Sequence, residues 1–440
     1  MALAVSATAV PPPWGRGVPG NRWDLVAAQP AVERTVSVVV AHYDQPEQLA
    51  RTLTALRRQT WPQDLLEIVV ADDGSPRTPV VPDGVRLVRQ DDRGFRLAAV
   101  RNLGVTASSG DLLCFLDADT APEPTYVERL VRLPSLLPEA VTVGRRRHAD
   151  LAGTDPAEQV AAAAARHPLP EPSWLADAYR RSRNLLDADD RSYRFVIGAV
   201  TACSRWFFDR VGGFDETFES YGGEDWEWAS RAWTTGAVLA HVDDAVAWHD
   251  GPEWAGRDEA EARRRKNAET LTLAGSIGVA GSRPHALIAP RTDVVVELAS
   301  AAGPAAAFVA VDSMLAALPQ ARVVVPREVL DVFAADPRVV AEADERARVT
   351  VLVPTPQRVT DPVGLRAAVA DVLAEPVDAS GAPLGTVDLG GVVTVSSGRA
   401  RLRERRWGED AGWRREARPA PGLLPVPDEP DLEAYLGGWG

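Results

Sequence analysis

The sequence predicts an α/β protein with a Rossmann-like, mostly parallel sheet flanked by helices, plus a smaller C-terminal α/β accessory domain. Three observations support this. Apolar β-branched runs alternate with segments of helical periodicity from residue 36 onward, the intervening turns are short and polar, and a shorter version of the pattern occupies 285–410. We expect a flexible segment over 1–34, the main domain over 35–280, the accessory domain over 285–410 and an irregular tail over 411–440.

The main domain is predicted element by element. Strands are expected over 36–41, 67–71, 85–89 and 112–116, with helices over 47–59 and 97–108 between them. Further on, 145–194 is predicted to be helical and polar, 195–202 and 238–248 to be extended, and 263–273 to be helical. Because crossovers between parallel strands are right-handed, the carboxyl ends of these strands should share one edge, where ligands bind.

Bulk composition restricts the function classes. The chain has 440 residues, 45% of them hydrophobic, and a formal net charge of -14, which argues against nonspecific nucleic-acid binding. The two cysteines are far apart in apolar or neutral contexts, so we expect neither a disulfide nor a thiolate metal site, and a cytoplasmic protein. A transmembrane segment is not expected, while peripheral membrane contact and the oligomeric state stay open.

Acidic side chains follow two of the predicted strands. Asp117 and Asp119 come directly after one buried strand, and Asp72 and Asp73 end another. Carboxylates are good ligands for a hard divalent cation, which can also bind the oxygens of a diphosphate. The shared strand edge should bring these four acids into one crevice.

In order and spacing, the motifs of 35–275 resemble the inverting family 2 glycosyltransferases of the GT-A type, in the branch of chondroitin-polymerase-like and galactosyltransferase-like enzymes. The similar stretches are Ser37-Val38-Val39-Val40 with Tyr43-Asp44, Val69-Val70-Ala71-Asp72-Asp73-Gly74-Ser75, Gly94 with Ala99-Val100-Arg101-Asn102-Leu103-Gly104, Asp117-Ala118-Asp119, Val211-Gly212-Gly213-Phe214-Asp215-Glu216, Tyr221-Gly222-Gly223-Glu224-Asp225, and Trp248-His249.

The resemblance implies a metal-dependent transfer of sugar from a nucleotide-diphosphate donor, with UDP-sugars favoured. The residues that match the family's nucleotide-binding positions are Asp72, Asp73, Arg101, Asp117 and Asp44. The residues that match its Mn²⁺ or Mg²⁺ positions are Asp119 and His249, with Asp117 either beside the metal or nearer the ribose.

Inversion needs a base on the face opposite the departing phosphate. The resemblance assigns that base to Asp225 and the orientation of the acceptor hydroxyl to Glu224. Tyr221, Trp226 and Trp228 are the expected acceptor or sugar contacts, although only one of two tryptophans at i and i+2 of a helix can point into the cleft. The acceptor could be a saccharide, a lipid-linked intermediate or a small molecule.

Two alternative functions remain at this stage. A sugar-phosphate nucleotidyltransferase would normally carry a Gly-rich loop with Lys or Arg after the first strand, where this chain has residues 42–46, His-Tyr-Asp-Gln-Pro. A non-catalytic carbohydrate-binding protein on the same scaffold would not need its paired acids. The region from 285 lacks a paired-acid turn, and one interpretation is a degenerate GT-A-like module. The basic run 145–147 is interpreted as a solvated face, with contact to an anionic lipid-linked acceptor as the alternative.

Overall fold

A computed structural model describes residues 11–219, 222–252, 259–288, 291–342 and 346–438. The chain divides into unit 1, residues 1–233 and 237–273, and unit 2, residues 234–236 and 274–440. Across the described ranges, a helix with the length and apolarity needed to cross a bilayer is not found.

The elements of the first part of the chain, through the end of unit 1, are β1 (Val36–His42), α1 (Pro46–Leu56), β2 (Leu66–Asp72), β3 (Val85–Arg89), α2 (Leu97–Thr106), β4 (Leu112–Asp117), β5 (Thr120–Pro122), α3 (Tyr126–Leu136), β6 (Ala140–Ala149), α4 (Val160–Ala164), β7 (Pro168–Leu169), α5 (Ser173–Arg181), β8 (Val200–Ser204), α6 (Arg205–Val211), α7 (Glu224–Thr234), β9 (Val238–Asp250) and α8 (Glu259–Ser276).

The unit 1 sheet has the strand order β3-β2-β1-β4-β8-β6-β9-β5, with β7 paired to β6. Its first four strands are parallel, and β6 and β9 run in the same direction as these four, whereas β8, β5 and β7 run the opposite way. The central strand β1 is buried at every position, as its β-branched sequence requires. The predicted α/β class with a mostly parallel sheet is confirmed.

Helix α2 lies close against the centre of this sheet. At Gly104 an added Cβ atom would stand only 2.4 Å from Cγ1 of Val39 on β1, so glycine is what allows the approach. Arg101, one turn earlier on the same helix, is thereby held at the carboxyl edge of the strands.

Two segments differ from expectation. Residues 145–149 belong to strand β6 rather than to a helix, because β6 pairs with β9 in parallel along this stretch. The described part of the lead-in, 11–34, packs on unit 1: Val18 and Val26 are buried in a cluster with Leu133. Asn21 also donates hydrogen bonds to backbone carbonyls 164 and 218 residues away. Burial of these apolar side chains explains why the segment is not the mobile lead-in that its composition suggested.

The elements of unit 2 are β10 (Val294–Leu298), α9 (Pro304–Ala317), β11 (Arg322–Val324), β12 (Val339–Val340), β13 (Val349–Val353), β14 (Gln357–Val359), α10 (Val363–Ala374), β15 (Leu384–Leu389), β16 (Val393–Ser397), α11 (Gly398–Trp407), β17 (Arg414–Arg418), β18 (Leu423–Pro425) and α12 (Leu432–Tyr435).

Unit 2 contains a second sheet with the order β12-β11-β10-β13-β16-β15-β17, beside a small β14-β18 pair. Strands β12, β11, β10 and β13 are parallel, and β16 is antiparallel to β13. Strands β10, β11, β12 and β13 therefore occupy the same places in their sheet as β1, β2, β3 and β4 do in unit 1. The next strand along, β16 in unit 2 and β8 in unit 1, is antiparallel in both sheets.

Candidate active site

Asp72, the last residue of β2, forms a buried hydrogen-bonding centre behind the carboxyl edge of the sheet. Its carboxylate is paired with Nδ1 of His42 at 2.7 Å, and it accepts hydrogen bonds from Nε of Arg89 at 2.8 Å and from both the backbone N–H and the hydroxyl of Ser75. Burial alone would raise the pKa of Asp72, but the hydrogen bonds from Ser75 and His42 outweigh it and lower the pKa. Asp72 therefore stabilises the turn that follows β2, through its hydrogen bonds with Ser75 and Arg89.

Asp73, the next residue, lines a cavity of about 550 Å³ at this edge of the sheet. Its two carboxylate oxygens accept hydrogen bonds from Nε2 of Gln90 at 2.5 Å and from the backbone N–H of Arg96 at 2.9 Å. Burial raises the pKa of Asp73. The exposed aromatic rings of Tyr43 and Phe95 line the same cavity.

The other end of this cavity is polar. It is lined by side chains that follow β4 or lie on β6 and β9: Asp117, Asp119, Arg146, His148 and His249. The lining of the cavity therefore combines aromatic rings with carboxylate, guanidinium and imidazole groups. A nucleotide diphosphate presents a flat base and charged phosphates, and the lining contains groups that suit each of them.

The guanidinium group of Arg101 joins two acids from distant parts of the chain. One of its nitrogens, Nη2, donates to Oδ1 of Asp117 and the other, Nη1, donates to Oε1 of Glu224, both at 2.9 Å. The Arg101 side chain is only 2% exposed. At Gly198 an added Cβ would stand 2.7 Å from Nη1, so a glycine is needed to leave room for this group.

Glu224 and Asp225 are the first two residues of α7. Burial, and then the neighbouring Asp225, raise the pKa of Glu224 to about 7 against the opposing effect of Arg101. Burial also raises the pKa of Asp225, whose carboxylate accepts hydrogen bonds from the backbone N–H groups of Gly198 at 3.0 Å and Trp226 at 2.8 Å.

Asp119 and His249 face each other across the paired strands β5 and β9. The two strands are aligned with Thr120 opposite His249, and Oδ2 of Asp119 lies 3.7 Å from Nε2 of His249. Nδ1 of His249 is 3.2 Å from the carbonyl oxygen of Gly251, and since that atom can only accept, Nδ1 carries the hydrogen. In the neutral ring the Nε2 lone pair then points toward a carboxylate oxygen, a pairing that a divalent cation would stabilise.

These two side chains therefore fit a divalent cation, with coordination left over for oxygens of a bound diphosphate. Among the residues that the structure describes, no cluster of three His, Cys, Asp or Glu side chains is close enough to hold an ion. Asp117 differs from these two side chains in that its Oδ1 atom accepts a hydrogen bond from Arg101.

The other predicted site residues are Asp44, Trp226, Trp228 and Tyr221, and they do not share one environment. Asp44 has a left-handed backbone with φ 46°, and its N–H donates to the Ser75 hydroxyl. Trp226 is partly buried against Tyr193, whereas Trp228 is packed in the core against Phe208 and Phe214 instead of facing a cleft, because it lies on the buried side of α7. Tyr221 lies outside the described residues.

Among the residues that line the cavity, sequence reasoning did not single out Phe95 or His148, and it named Tyr43 only within a similar stretch and Arg146 only within the basic run 145–147. The two on β6 were hidden by the prediction of a helix there. The available signal was His148 itself, which the strand register places beside His249, with the two rings 5.1 Å apart.

Comparison with known proteins supports a glycosyltransferase assignment. Residues 37–203 match the family described as "Glycosyl transferase family 2", and 186–246 match "N-terminal domain of galactosyltransferase". The chain carries a family 2 glycosyltransferase domain, so the resemblance of its motifs is confirmed at the level of the family.

Named relatives share this region. A hyaluronan synthase of Pasteurella multocida is 28% identical over 240 residues, covering 49% of this chain and 24% of that protein. A chondroitin synthase of Escherichia coli is 29% identical over 240 residues, covering 49% and 35%. A validoxylamine A glucosyltransferase of Streptomyces hygroscopicus subsp. limoneus is 32% identical over 218 residues, covering 44% and 47%. The chain thus spans less than half the length of each of these relatives.

Solved structures give a weaker likeness. A mannosyltransferase from Pyrobaculum calidifontis, solved with GDP-Man and Mn²⁺, matches with a TM-score of 0.39 at 17% identity, covering 58% of this chain and 66% of that one.

The raised pKa of Glu224 predicts a pH-dependent stability. A carboxyl whose folded-state pKa lies near 7 binds its proton more tightly when folded, so its favourable contribution is present below about pH 4.5 and disappears as the pH rises through about 7. We expect the Glu224→Gln variant to gain stability relative to the wild type over this window, on the order of 1–3 kcal/mol.

Urea denaturation at pH 5.0, 6.0, 7.0 and 8.0 measures this difference. Glu33→Gln, at an exposed acid of the same type, is the control and should track the wild type at every pH. A stability difference between Glu224→Gln and wild type that stays constant with pH would contradict the assignment.

Proposed function

We propose that unit 1 is an inverting glycosyltransferase that moves a sugar from a nucleotide-diphosphate donor, with UDP-sugars favoured, to an acceptor hydroxyl. Mn²⁺, or Mg²⁺ in its place, is the proposed cofactor, and Asp225 is the proposed general base. The preference for uridine comes from the family resemblance rather than from a contact.

The observation that carries the proposal is the position of Arg101. Its guanidinium contacts Asp117, the last residue of β4, and Glu224, the first residue of α7, more than a hundred residues later in the chain. The acids expected on the donor side and those expected on the acceptor side therefore belong to one cluster. Transfer between two bound molecules requires that closeness, because the attacking hydroxyl must lie within about 3–3.5 Å of the reacting carbon.

At the base end of the cavity, Asp73 and the rings of Tyr43 and Phe95 are the proposed nucleoside contacts. Aromatic faces can stack on a nucleobase, and a carboxylate can accept a hydrogen bond from an N–H of the base or from a ribose hydroxyl. Asp72 supports the site indirectly, since its hydrogen bonds hold the turn from which Asp73 projects.

At the phosphate end, Asp119 and His249 would hold the metal. A divalent cation bound there would offset the negative charge that develops on the departing nucleoside diphosphate. Gln45 donates to Oδ2 of Asp119 at 3.0 Å and the Gly251 carbonyl accepts from His249, so both proposed ligands are already oriented by hydrogen bonds. Asp117, engaged by Arg101, is proposed to sit nearer the ribose.

Asp225 has the properties of a general base. Its two backbone hydrogen bonds fix the carboxylate while leaving lone pairs for an incoming hydroxyl. Its pKa is raised by burial, which makes the carboxylate a stronger base than an exposed aspartate. Glu224 differs: Oε2 is buried without a hydrogen-bond partner among the described residues. With a pKa of about 7, Glu224 can keep a proton part of the time and donate it to the oxygen of a substrate.

For unit 2 we propose a degenerate copy of the same architecture. Its first five strands in the sheet repeat the order of unit 1, yet the positions that correspond to the paired acids do not carry any. Val325-Pro326 follows β11, where unit 1 has Asp72-Asp73, and Pro354-Thr355 follows β13, where unit 1 has Ala118-Asp119. Such a unit cannot hold a metal as unit 1 is proposed to do, and it is not assigned catalysis.

A nucleotide panel tests donor class and metal together. Ligand at a hundredfold excess over Kd stabilises a protein by about 2.7 kcal/mol, so UDP-sugars with Mn²⁺ should raise the melting temperature measurably, and less so without Mn²⁺. Asp119→Asn and His249→Ala should each lose the Mn²⁺-dependent part, while His167→Ala, at an exposed histidine of unit 1, keeps it. Stabilisation by GDP-sugars alone would contradict the uridine preference.

Replacing the proposed base tests the chemistry. Asp225→Asn should lower the rate of nucleoside diphosphate release from the donor by about 10²–10⁴-fold, because general-base assistance is lost. UDP binding with Mn²⁺, measured by calorimetry, should stay within about twofold of the wild type. In a parallel assay with UTP and a sugar 1-phosphate, release of inorganic pyrophosphate would favour a nucleotidyltransferase. Donor binding without turnover in the wild type would favour a carbohydrate-binding protein.

A further inference from the structure

A second cavity of about 380 Å³ lies in unit 1, separate from the proposed donor cavity. Its walls come from β6, α5 with the turn after it, and β9. Six charged side chains line it: Arg145, Arg146, Arg180, Arg183, Glu171 and Asp243. Four of these side chains carry guanidinium groups and two carry carboxylates, so planar cationic donors predominate among the charged groups that line the cavity, in a chain whose formal net charge is -14. Such a cavity favours an anionic ligand.

The arginines are paired mainly with exposed acids. Arg145 donates to both carboxylate oxygens of Glu171, at 3.1 and 2.9 Å. The side chains of Arg180 and Arg183 are 74% and 65% exposed and pair with acids of their own helix or turn. Ion pairs of this kind contribute little and are screened by solvent, so these guanidinium groups can exchange an internal partner for a ligand anion. A carboxylate or a phosphate would suit their planar donors.

A buried histidine, His241, also lines this cavity and can contribute a neutral hydrogen-bond acceptor. The His241 ring is stacked on Tyr179, with 3.6 Å between ring centroids and 5° between planes. Its Nδ1 lies 3.0 Å from Oδ1 of Asn184, so Nδ1 carries the hydrogen and Nε2 keeps its lone pair. In the described part of the chain Nε2 has no hydrogen-bond partner. Burial, reinforced by Arg145, lowers the pKa of His241 to about 3, and the ring stays neutral.

The turn that carries Asn184 is held in an unfavourable conformation. Arg183, Asn184 and Leu185 have φ values of 50°, 57° and 66°, the left-handed region that residues other than glycine avoid. Two long-range hydrogen bonds maintain it: Asn21 donates to the Leu185 carbonyl at 2.6 Å, and the backbone N–H of His241 donates to the Asn184 carbonyl at 3.0 Å. The turn fixes Arg183 at the cavity and Asn184 against His241.

We propose that this cavity binds the anionic, hydroxyl-bearing end of the acceptor, an acidic sugar or a sugar phosphate. The arginines would bind the carboxylate or phosphate, and Nε2 of His241 would accept a hydrogen bond from a sugar hydroxyl. Arg146 lines both this cavity and the donor cavity, so a ligand here would lie beside the donor site. The identification of the ligand as the acceptor rests on the proposed function, whereas the binding chemistry does not.

Calorimetry with three small probes tests the site in the full chain. D-Glucuronate and glucose 6-phosphate should bind at least about tenfold more tightly than glucose, since hydrogen bonds to charged groups are the stronger ones. The double variant Arg180→Gln/Arg183→Gln should lose about tenfold for both acids. Arg166→Gln is the matched control, because Arg166 is an exposed, glutamate-paired arginine of unit 1 that does not line the cavity. The tighter of the two acids identifies the anion.

The His241→Phe variant distinguishes the hydrogen bond that His241 accepts from a sugar hydroxyl from the attraction of the arginines for any anion. It keeps the ring that stacks on Tyr179 and removes the nitrogens, so it should weaken glucose 6-phosphate by several-fold and leave inorganic phosphate unchanged. Equal losses in Arg166→Gln and in the double variant, or binding of neither acid by the wild type, would overturn the proposal.

UDP binding with Mn²⁺ is measured on the same samples and should be retained in all of these variants. If the wild type binds UDP and neither acid, the proposal that the second cavity binds an anion is wrong, and the proposed function is unaffected. If it binds the acids and no nucleotide, the anion site stands and the proposed function fails.

Discussion

The guanidinium group of Arg101 is the constraint on which the rest of the site depends. It is nearly inaccessible to solvent and contacts the buried carboxylate of Glu224 and the partly exposed carboxylate of Asp117, and the negative charge of Asp225 also raises the pKa of Arg101. Three neighbouring acids, of which Glu224 is buried, are stabilised by a compensating cation. Local geometry serves this group: Gly198 leaves it space, and Gly104 lets its helix approach β1. The donor-side and acceptor-side acids thus share one electrostatic unit.

The same compensation explains how neighbouring carboxylates acquire different properties. Glu224, buried and with one oxygen lacking a hydrogen-bond partner among the described residues, has a pKa of about 7. Asp72 is also buried, yet its pKa is lowered, because Ser75 and His42 supply hydrogen bonds. Burial therefore raises the pKa of both acids, and only around Asp72 are the hydrogen bonds strong enough to reverse that effect. In unit 2 the strand order repeats, but the turns after β11 and β13 lack the paired acids of unit 1.

Much of this was predictable from the sequence. Apolar runs, β-branched in β1 and β2, marked β1, β2 and β4 to within one or two residues, and the paired acids marked the edge where they end. Periodicity failed at 145–149, because the arginines there suggested a solvated helix while pairing with β9 makes a strand. The sequence also could not show which acid of the Asp72-Asp73 pair lines the cavity. Asp72 and Asp73 are neighbours in sequence, and only the positions of His42, Ser75 and Arg89 in space turn the first inward.

The most direct test of the central claim needs no substrate. Arg101→Met should lower the free energy of unfolding by about 3–5 kcal/mol, because it leaves buried carboxylates without a counter-charge. Adding Asp117→Asn and Glu224→Gln to that variant removes the uncompensated charges, and urea denaturation should then recover most of the loss. If the triple variant is no more stable than Arg101→Met alone, Arg101 does not act as the shared counter-ion and the single-cluster account is contradicted.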